Sequence, residues 1–562
     1  MKLALVTTPP SLASGIGDYT RQLAAQLAHH AEIHGFVEHG RQGETLEGRA
    51  QRSVAELDPR EFDQIVYQLG NEIAHAFMGA VIRRCGGTLV LHDWVLFDLA
   101  LAAHPSLARG GPKGFALALR EGGFEQARVF LENTLEKRRA RRASRRASES
   151  PVGGGDPAGG TLLDGWHGLE PGGRWTSERA RVRLPGRGIL EARVECTTEP
   201  GREVSLSSGA RRSSQRALET KRDLAVQLDL EGLDDPILSI EASPVFVSDD
   251  QRRHGDTRRL GAFVRRIVLR DGAGTREISL AEAPSVPLTG VDLSRDRFRL
   301  PFNRSIVAAA DSCIVHSRFM RERVLGARGP EFPSAVVHHG AEARWLTEDR
   351  RVTRARLGLS PEWQTSVLLT SFGHVQEHKR IEPLLNAFAH ARRERPDLRL
   401  SLIGAEHRDS FDARRPVREL GLEPYVLFTG RVREEEAWPW IHAGDFAVQL
   451  RGPSTGGTSG GVFQSLGLGR AVIASDLDEQ RELPESCVAR VPPGEGEVEH
   501  LARLILALAA DAARRERMEA AARDFVSREC SWTAVAARYA ECLAAFPRPR
   551  GGRSSARARR GS

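Results

Sequence analysis

The stretch LLTSFGHVQEHKRIEPLL, residues 368–385, decides how the fold of this chain is interpreted. An apolar strand runs into Gly373, a short polar loop carries Lys379, and an amphipathic helix follows. A glycine lets the backbone approach a ligand closely, and the first N–H groups of a helix have no partner within that helix. Because a cation lies six residues beyond the glycine, this arrangement predicts a binding site for an anionic group.

A second turn of the same kind opens the chain. Leu3–Thr7 is an apolar strand, the next loop carries Gly15 and Gly17, and a helix is predicted over Tyr19–His29. Both glycines permit close approach of the backbone to a ligand or phosphate, although tight turns need glycine in any case. Two such turns, far apart in the chain, predict two nucleotide-fold halves that face a shared cleft.

Short apolar strands alternate with helical segments in both halves, which predicts two parallel, doubly wound α/β sheets. In the first half, further strands are predicted at Ile33–Val37, Gln64–Gln68, Thr88–Leu91, Ser312–Val315 and Ala335–His338. In the second half, strands are predicted at Ser366–Ser371, Leu398–Ile403, Val426–Thr429, Phe446–Leu450 and Ala471–Ser475. Helices around Val498–Ala509 and Trp532–Leu543 are predicted to follow.

A segment of different character interrupts the first half. SESPVGGGDPAGG, near residue 147, is rich in Gly, Pro and Ser and is typical of a linker. From about Thr161 to Leu293, runs such as ILEARVECT (Ile189–Thr197) show partial alternation with turn residues between them. This spacing predicts an antiparallel β-sandwich inserted into the first domain. Its Trp166 and Trp175 are interpreted as buried core residues, with stacking on sugars as the alternative.

The positive charge of the chain is concentrated in two segments. The 562 residues carry a formal net charge of +7, and Arg-rich runs lie at Lys137–Arg146 and Arg548–Arg560. Neither run is interleaved with aromatic residues, which favours a solvated helix end and a disordered tail over a nucleic-acid site. Contact with an anionic membrane surface is the remaining interpretation.

Cysteine usage and apolar runs indicate a cytoplasmic protein. The six cysteines form no CxxC pair, so we expect reduced thiols rather than a zinc site or a disulfide framework. MKLALVTTPP lacks the features of a signal peptide. No run of 18 apolar residues is present, so no membrane span is expected.

Six motifs in the right order resemble the family-four glycosyltransferases, retaining enzymes with two Rossmann-like domains. The resemblance covers roughly residues 1–135 and 300–545. Its motifs are SGIGDYTRQLAAQL (Ser14–Leu27), LHDW (Leu91–Trp94), DSCIVHSRFMRERV (Asp311–Val324), VVHHGAE (Val336–Glu342), SFGHVQEHKRIEPLLNAF (Ser371–Phe388) and GLGRAVIASDLDEQRELPE (Gly467–Glu485).

The resemblance implies a domain organisation of the GT-B type. In chain order, we predict an N-terminal Rossmann-like acceptor domain (1–146), a linker (147–160), an inserted β-sandwich (161–296), a return and crossover (297–345), a C-terminal Rossmann-like nucleotide-sugar domain (346–527), a C-terminal helix (528–546) and a basic disordered tail (547–562).

The chain departs from the family where two glutamates normally stand. That region reads PSTGGTSGGVFQSL (Pro453–Leu466), so one glutamate aligns with Gly456 or Gly457 and the other with Gln464. An amide can hydrogen-bond a ribose hydroxyl, but without the charge-assisted bond of a carboxylate. The family's arginine beside the glycine is His374 here, which leaves one permanent cation where two are common.

The resemblance also implies roles for individual residues. The catalytic group is predicted to be His92, Asp93 and Lys379, with Lys379 stabilising the charge on the departing diphosphate. Donor contacts are predicted for Gly15, Gly17, Gly373, His374, Lys379, Gly456, Gly457, Thr458, Ser459 and Gln464. Acceptor contacts are predicted for Asn71 and His75, with a helix cap at Asn71 as the alternative. Asp476 and Asp478 resemble a metal motif of another fold, and we expect neither a metal nor a cofactor.

The sequence therefore predicts a retaining glycosyltransferase that moves a hexose from a nucleotide-sugar to a saccharide or lipid-linked acceptor. We expect it in the cytoplasm, in contact with the inner face of the membrane through the Arg-rich segments. One rival is a sugar- or polysaccharide-binding assembly protein of the same fold, motivated by the missing glutamates. The other is a nucleic-acid-associated protein, which the absence of aromatics in the Arg-rich runs disfavours.

Overall fold

The computed structural model describes residues 1–12, 14–39, 44–149, 161–163, 166–170, 173–184, 188–218, 223–233, 237–243, 245, 260–272, 274–278, 280, 294–406 and 411–552. These residues form two compact units. One unit comprises Met1–Leu99 and Pro301–Ser562, and the other comprises Ala100–Leu300. The first unit holds two parallel sheets and the second holds two antiparallel sheets. The predicted α/β class is therefore confirmed.

Seven parallel strands form the sheet of the first domain. From edge to edge they are Arg52–Ser53, Glu32–Val37, Lys2–Val6, Gln64–Leu69, Thr88–Leu91, Ser312–Val315 and Ser334–Val336. Numbered along the chain, the strands of this sheet stand in the order 3-2-1-4-5-6-7, which is the Rossmann order extended by one strand. The central strands are buried along their whole length, as expected for a sheet covered on both faces.

Helices and short elements surround this first sheet. The helices are Gly15–Leu27, Met78–Cys85, Phe97–Ala103, Arg304–Ala309, Arg318–Arg328 and the C-terminal Trp532–Ala545, and the short elements are Thr45–Leu46, Arg49–Ala50, Val54–Glu56, Pro59–Glu61 and Ile73–His75. The first helix begins at Gly15, earlier than the predicted Tyr19, because Ser14 Oγ accepts a hydrogen bond from the Gly17 N–H at 3.0 Å. The C-terminal helix packs on this first helix, where the Tyr19 and Tyr539 hydroxyls lie 3.0 Å apart.

Six parallel strands form the second sheet. From edge to edge they are Val426–Phe428, Leu398–Ile403, Val367–Phe372, Phe446–Gln449, Val472–Ser475 and Val488–Val491. Their order along the chain is 3-2-1-4-5-6, again the Rossmann order. The accompanying helices and helical turns are Arg350–Arg356, Pro361–Thr365, Glu377–Lys379, Ile381–Glu394, Arg414–Glu419, Glu434–Ala443, Gly460–Gly467, Asp478–Gln480, Glu497–Ala510, Ala512–Phe525 and Val526–Cys530, whereas the turn Arg550–Gly552 packs on the first domain.

The second unit contains helices and two antiparallel sheets. Its helices are Ser106–Arg109, Gly111–Glu149 and Ser294–Arg299. One sheet has the order Asp223–Asp229, Ile189–Thr197, Phe263–Asp271, Gly173–Thr176 and Trp166–Glu170, and Gly274–Glu277 also pairs with Phe263–Asp271. The other has the order Arg211–Arg216, Glu203–Ser208, Ile237–Ser243, Arg179–Arg183 and Thr161–Leu162.

Both antiparallel sheets contribute side chains to one buried hydrophobic cluster. Trp166 belongs to this cluster and is fully buried, with its Nε1 donating to the Arg181 carbonyl at 3.1 Å. Trp166 is therefore a core residue, as interpreted from the sequence. Trp175 is half-buried and its ring lies 5.1 Å from that of Phe263.

Two segments differ from the sequence prediction. The helix that begins at Gly111 runs to Glu149, so the first residues of the predicted linker are helical, and residues 150–160 lie outside the described part. The tail is ordered at its start because Arg548 binds Asp63 at 2.7 Å and Arg550 binds Asp311 at 2.6 Å. The expected disorder is therefore wrong for residues 547–552, and residues 553–562 lie outside the described part.

All six cysteines lie in the described part of the chain, where each is buried and free. Among the described residues, no helix combines the length and the apolar character needed to cross a membrane. The domain boundaries drawn from the sequence stay predictions.

Candidate functional site

The second sheet has its topological switch point between Val367–Phe372 and Phe446–Gln449. These two strands are hydrogen-bonded neighbours, with Leu369 opposite Phe446. Ligands of open α/β sheets bind beyond the carboxyl ends of the strands at such a point. The loop that follows the first strand contains Gly373 and Lys379, and the segment that follows the other contains Arg451. Gly373 has a φ of +128°, a conformation that favours glycine.

Lys379 lies inside this crevice. Its Nζ is 4.0 Å from the position that a Cβ atom would take on Gly373, and the side chain is half-buried. Burial lowers the pKa of Lys379 to about 7; Arg451 lowers it further, whereas Asp93 of the first domain raises it. No hydrogen bond or ion pair holds this ammonium within the part of the chain that the structure describes. It is therefore available to an anionic ligand.

Arg380 points away from the crevice, as its position after Lys379 suggests. Its Nε donates to Glu497 Oε1 at 2.6 Å, and its Nη2 binds the other oxygen of the same carboxylate. Glu497 also accepts from the Gly494 N–H at 3.1 Å. Arg380 thus fixes the loop to the rest of the second domain and leaves Lys379 as the cation on the ligand side.

Arg451 is a second cation at the switch point that the sequence analysis missed. It is 9% exposed, and its Nη1 donates to the Gly457 carbonyl at 2.8 Å. The Gly452 N–H donates to the His378 carbonyl at 2.9 Å, which brings the segment that carries Arg451 against the loop that carries Lys379. The available signal was the place of Arg451 directly after Leu450, at the end of the strand that borders the switch point. Arg451 supplies the permanent charge that His374, an exposed side chain, does not.

The loop from Ser454 to Gly457 packs directly on the first domain. The Thr455 carbonyl accepts hydrogen bonds from the Trp94 and Val95 N–H groups at 2.9 and 3.1 Å. A Cβ atom on Gly456 would lie 2.6 Å from Trp94 Cβ, and one on Gly457 would lie 2.4 Å from the His92 carbonyl oxygen. The contact therefore has no room for a side chain at Gly457, which accounts physically for the missing glutamate.

Two backbone N–H groups of this loop bind side chains of the loop itself. The Gly456 N–H donates to Ser454 Oγ at 2.9 Å, and the Gly457 N–H donates to Thr455 Oγ1 at 3.4 Å. Thr458 is half-buried, and Ser459 and Gln464 are buried. Ser459 stands at the N-cap of the helix Gly460–Gly467, whose first N–H groups have no intrahelical partner.

Asp93 connects the two domains at this crevice. One carboxylate oxygen accepts from Thr455 Oγ1 at 3.1 Å, and the other accepts from the Asn71 N–H at 3.1 Å. Asp93 also attracts the Lys379 ammonium, since it raises that group's pKa. Its carboxylate therefore joins the Thr455 loop to the Asn71 turn.

The His92 side chain is buried behind this contact. Its Nε2 lies 2.8 Å from Gln68 Oε1, and its Nδ1 lies 3.1 Å from His316 Nε2. The ring of Tyr19 packs edge-on at 4.8 Å. Burial, with His316 and His339 as further causes, holds the pKa of His92 well below its usual value. The ring is therefore neutral, and both of its nitrogens already have partners.

The switch point of the first sheet carries groups that bind one another. Asn71 Nδ2 donates to Asp98 Oδ2 at 2.8 Å, and Asn71 Oδ1 accepts from the Asp98 N–H at 2.8 Å. Asn71 thus caps the start of the helix Phe97–Ala103 rather than a helix of its own. His75 is fully buried against Gly70, and burial lowers its pKa.

The two N-terminal glycines occupy different environments. A Cβ atom on Gly17 would lie 3.0 Å from Thr8 Oγ1, whereas one on Gly15 would meet nothing within 4 Å. Gly15 is exposed and Gly17 is buried. Close packing therefore requires a small residue at Gly17 alone.

The acidic residues after the loop bind protein groups. Arg481 binds Asp476 at 2.8 Å and Asp478 at 3.0 Å. Glu482 accepts from the Arg318 and Phe319 N–H groups at 2.7 and 2.8 Å, and so caps a helix of the first domain. Within the described part of the chain, no cluster of three or more His, Cys, Asp or Glu side chains is arranged to hold a metal.

The second domain is similar to a known protein family. Residues 366–511 match the family model described as Glycosyl transferases group 1. Gly373, Lys379, Arg451 and Gln464 all lie within the matched segment.

Similarity extends beyond this domain to one curated relative. The chain is 27% identical over 260 residues to a GDP-mannose-dependent monoacylated alpha-(1-6)-phosphatidylinositol monomannoside mannosyltransferase of Corynebacterium glutamicum, across 44% of this chain and 65% of that protein. The chain thus spans slightly less than two thirds of the relative's length.

Two solved structures are similar over part of the chain. Sucrose-phosphate synthase from Thermosynechococcus elongatus is 23% identical with a TM-score of 0.38, across 45% of this chain and 62% of that one. HepE from Anabaena, in complex with UDP, is 20% identical with a TM-score of 0.39, across 45% of this chain and 69% of that one. The fold assignment rests on the strand orders of the two sheets.

Proposed function

We propose that this protein is a retaining glycosyltransferase that moves a hexose from a nucleotide-sugar to a saccharide or lipid-linked acceptor. The observation that carries the proposal is the pair of cations, Lys379 and Arg451, at the switch point of the domain that matches Glycosyl transferases group 1. Guanidinium and ammonium groups, together with the free N–H groups of the helix Gly460–Gly467, suit a diphosphate. The similarity to a GDP-mannose-dependent enzyme supports GDP-mannose as the first donor to test.

In the proposed reaction, the oxygen of an acceptor hydroxyl bonds to C1 of the donor sugar while the bond from C1 to the diphosphate oxygen breaks. The acceptor proton passes to the departing diphosphate on the same face of the sugar, so the configuration is retained. The departing diphosphate gains negative charge, and a positioned cation lowers that barrier. Lys379 and Arg451 supply this charge in the proposal, which needs neither a metal nor a cofactor.

We assign positioning roles to His92 and Asp93. Asp93 binds the Thr455 loop and attracts Lys379, so it orders the donor side of the crevice. His92 is neutral, and Gln68 and His316 occupy its ring nitrogens. It therefore supports the backbone segment on which Gly457 rests, rather than transferring a proton.

We further propose that residues 161–296 form the inserted β-sandwich of the first domain and take part in holding the acceptor. The shared hydrophobic cluster of the two antiparallel sheets supports this assignment. The first domain is proposed to face the acceptor, but not through the predicted side chains, since Asn71 binds Asp98 and His75 is fully buried.

Peripheral contact with an anionic membrane is part of the proposal. On the helix Gly111–Glu149, Phe124, Leu131 and Leu135 are 73%, 42% and 40% exposed. Their spacing places them along one face, and the basic run Lys137–Arg146 follows them in the sequence.

Vesicle sedimentation tests this contact. Replacing Phe124, Leu131 and Leu135 by Ser is expected to reduce sedimentation with vesicles rich in phosphatidylglycerol by about tenfold, because two or three buried apolar side chains contribute a few kcal/mol. The matched control is Leu218→Ser, at a residue that is 58% exposed elsewhere in the same unit. Equal loss in both variants would contradict the assignment of this helix face.

A donor screen tests the enzymatic proposal. Release of the nucleoside diphosphate and transfer to a lipid-linked mannoside are measured for GDP-mannose and for UDP-, ADP- and dTDP-sugars. We expect turnover with one donor class and its loss in Lys379→Met. The rival, a sugar-binding assembly protein, draws support from Gln464 and Gly457 standing where glutamates are usual. Sugar binding without diphosphate release from any donor would favour that rival.

A further inference from the structure

A charged cavity lies at the amino-terminal ends of the strands of the second sheet. Its volume is about 550 Å³. Val367, which begins the first strand of this sheet, lines it, as do Asp445 and Arg470, which precede the next strands along the sheet. These residues mark the amino ends of parallel strands, whereas Gly373 and Arg451 follow the carboxyl ends. The cavity is therefore separate from the proposed donor site.

Three arginines of this cavity share two carboxylates. Arg354 binds Asp445 at 2.8 Å, and Arg350 binds the same carboxylate at 3.4 Å. Arg350 also binds Glu519, and Arg470 forms an ion pair with the same Glu519 carboxylate at 3.2 Å. A fourth arginine, Arg523, has no hydrogen bond or ion pair among the described residues.

The lining holds five arginines and four carboxylates in all. Glu348 binds Arg356 at 2.9 Å, and Asp349 accepts from the Arg351 N–H at the start of its own helix. The Arg351 side chain is exposed and has no ion pair within the described part of the chain. Positive charge is therefore in excess at this concave surface.

Neighbouring groups respond to this excess. Burial lowers the pKa of Arg470 to about 10, with Arg350 as the next cause and Arg523 as a lesser one. The pKa of His442 falls to about 4 because of burial and then the charge of Arg470. A Cβ atom on Gly469 would lie 3.4 Å from Arg523 Nη1, so the Arg523 guanidinium rests against the segment that carries Arg470.

We propose that this cavity binds a small phosphate-bearing molecule, of the size of a sugar phosphate, at a site distinct from the donor crevice. Arg523 and Arg351 contribute guanidinium groups that no protein carboxylate occupies, and guanidinium matches phosphate geometry in a two-pronged contact. The volume falls within the range of small-molecule pockets. A bound phosphate would bridge Arg351 of the helix Arg350–Arg356 and Arg523 of the helix Ala512–Phe525 at the amino-terminal ends of the strands.

The test is made on the full chain carrying Lys379→Met, so that phosphate binding at the donor crevice is suppressed. Calorimetric unfolding is followed while inorganic phosphate or glucose 6-phosphate is titrated. A ligand that binds only the native state raises the midpoint temperature with the logarithm of its concentration. We expect a rise that follows ln(1 + [L]/Kd), and a lower fitted Kd for glucose 6-phosphate than for inorganic phosphate.

Arg523→Gln, added to the same background, is expected to raise the Kd fitted from the midpoint shifts by about tenfold, since it removes a charge-assisted contact. The matched control is Arg517→Gln, an exposed arginine of the same helix that does not line the cavity. No rise of the midpoint with either ligand, or equal weakening by both substitutions, would overturn the proposal. Because Lys379 is replaced throughout, failure here is separate from failure of the proposed transferase activity.

Discussion

The two parallel sheets share a strand order but differ in what stands at their switch points. In the first sheet, residues 7–17 and 70–75 contain no Lys or Arg, and Asn71 binds Asp98 of its own domain. In the second sheet, the Gly452 N–H donates to the His378 carbonyl at 2.9 Å, so the segments that carry Arg451 and Lys379 lie side by side. The shared fold therefore does not decide which half binds a diphosphate. The charges on the loops decide it.

Replacing Lys379 by Met is expected to have the largest effect. It removes the ammonium that lies in the crevice, and loss of one preorganised charge stabiliser typically lowers turnover by about a hundredfold to a thousandfold. Turnover is measured as release of nucleoside diphosphate. Lys113→Met, at an exposed lysine of the other unit, is the control. Unchanged turnover in Lys379→Met would remove the distinction between the two switch points.

Arg451→Gln is expected to have the next largest effect. It removes the second cation and the bond to the Gly457 carbonyl, and we expect nucleoside diphosphate affinity to fall by about tenfold to a hundredfold. Arg451→Lys distinguishes the role of the charge from the role of the bond that supports the loop. It keeps the positive charge, but it lacks the planar guanidinium that binds two partners at once. Equal losses in both variants, with a matching fall in the unfolding midpoint, would indicate a purely structural role.

Gly457→Glu restores a carboxylate of the family at the point where the two domains meet. Because its Cβ would lie 2.4 Å from the His92 carbonyl oxygen, we expect a loss of about 1–3 kcal/mol in unfolding free energy. Gly460→Ala is the control, since a Cβ there meets nothing within 4 Å. Calorimetry that found Gly457→Glu as stable as Gly460→Ala would show that the loop does not need this close contact.

Much of this comparison was available from the sequence. Thr88–Leu91 and Leu398–Ile403 were predicted with the bounds that the structure gives them, because buried parallel strands read as continuous apolar runs. Lys379 was found because its spacing from Gly373 is local. The strand orders and the core position of Trp166 also agree with the expected fold class.

The rest depended on contacts between distant residues. Arg451 shares the crevice with Lys379 only because Phe446–Gln449 pairs with Val367–Phe372, and no local pattern gives that pairing. Asn71 binds Asp98. In the sequence alone, a polar residue with such a structural partner cannot be told apart from a residue that contacts a ligand. Arg550 binds Asp311, which is far away in the sequence, although its surroundings have the composition of a disordered tail.

The pH dependence of nucleotide binding tests the central claim most directly. The pKa of Lys379 is lowered to about 7 in the ligand-free protein, so its charge is present below that pH and lost above it. GDP affinity is measured by calorimetric titration at about pH 6 and about pH 8 in the unmodified protein and in Lys379→Met, which corrects for the titration of the GDP phosphate itself.

We predict that the affinity advantage of the unmodified protein over Lys379→Met falls by up to about tenfold between these two pH values, as the ammonium is lost. An advantage that is constant across this range, or absent at the lower pH, would contradict the assignment of the diphosphate to the second switch point.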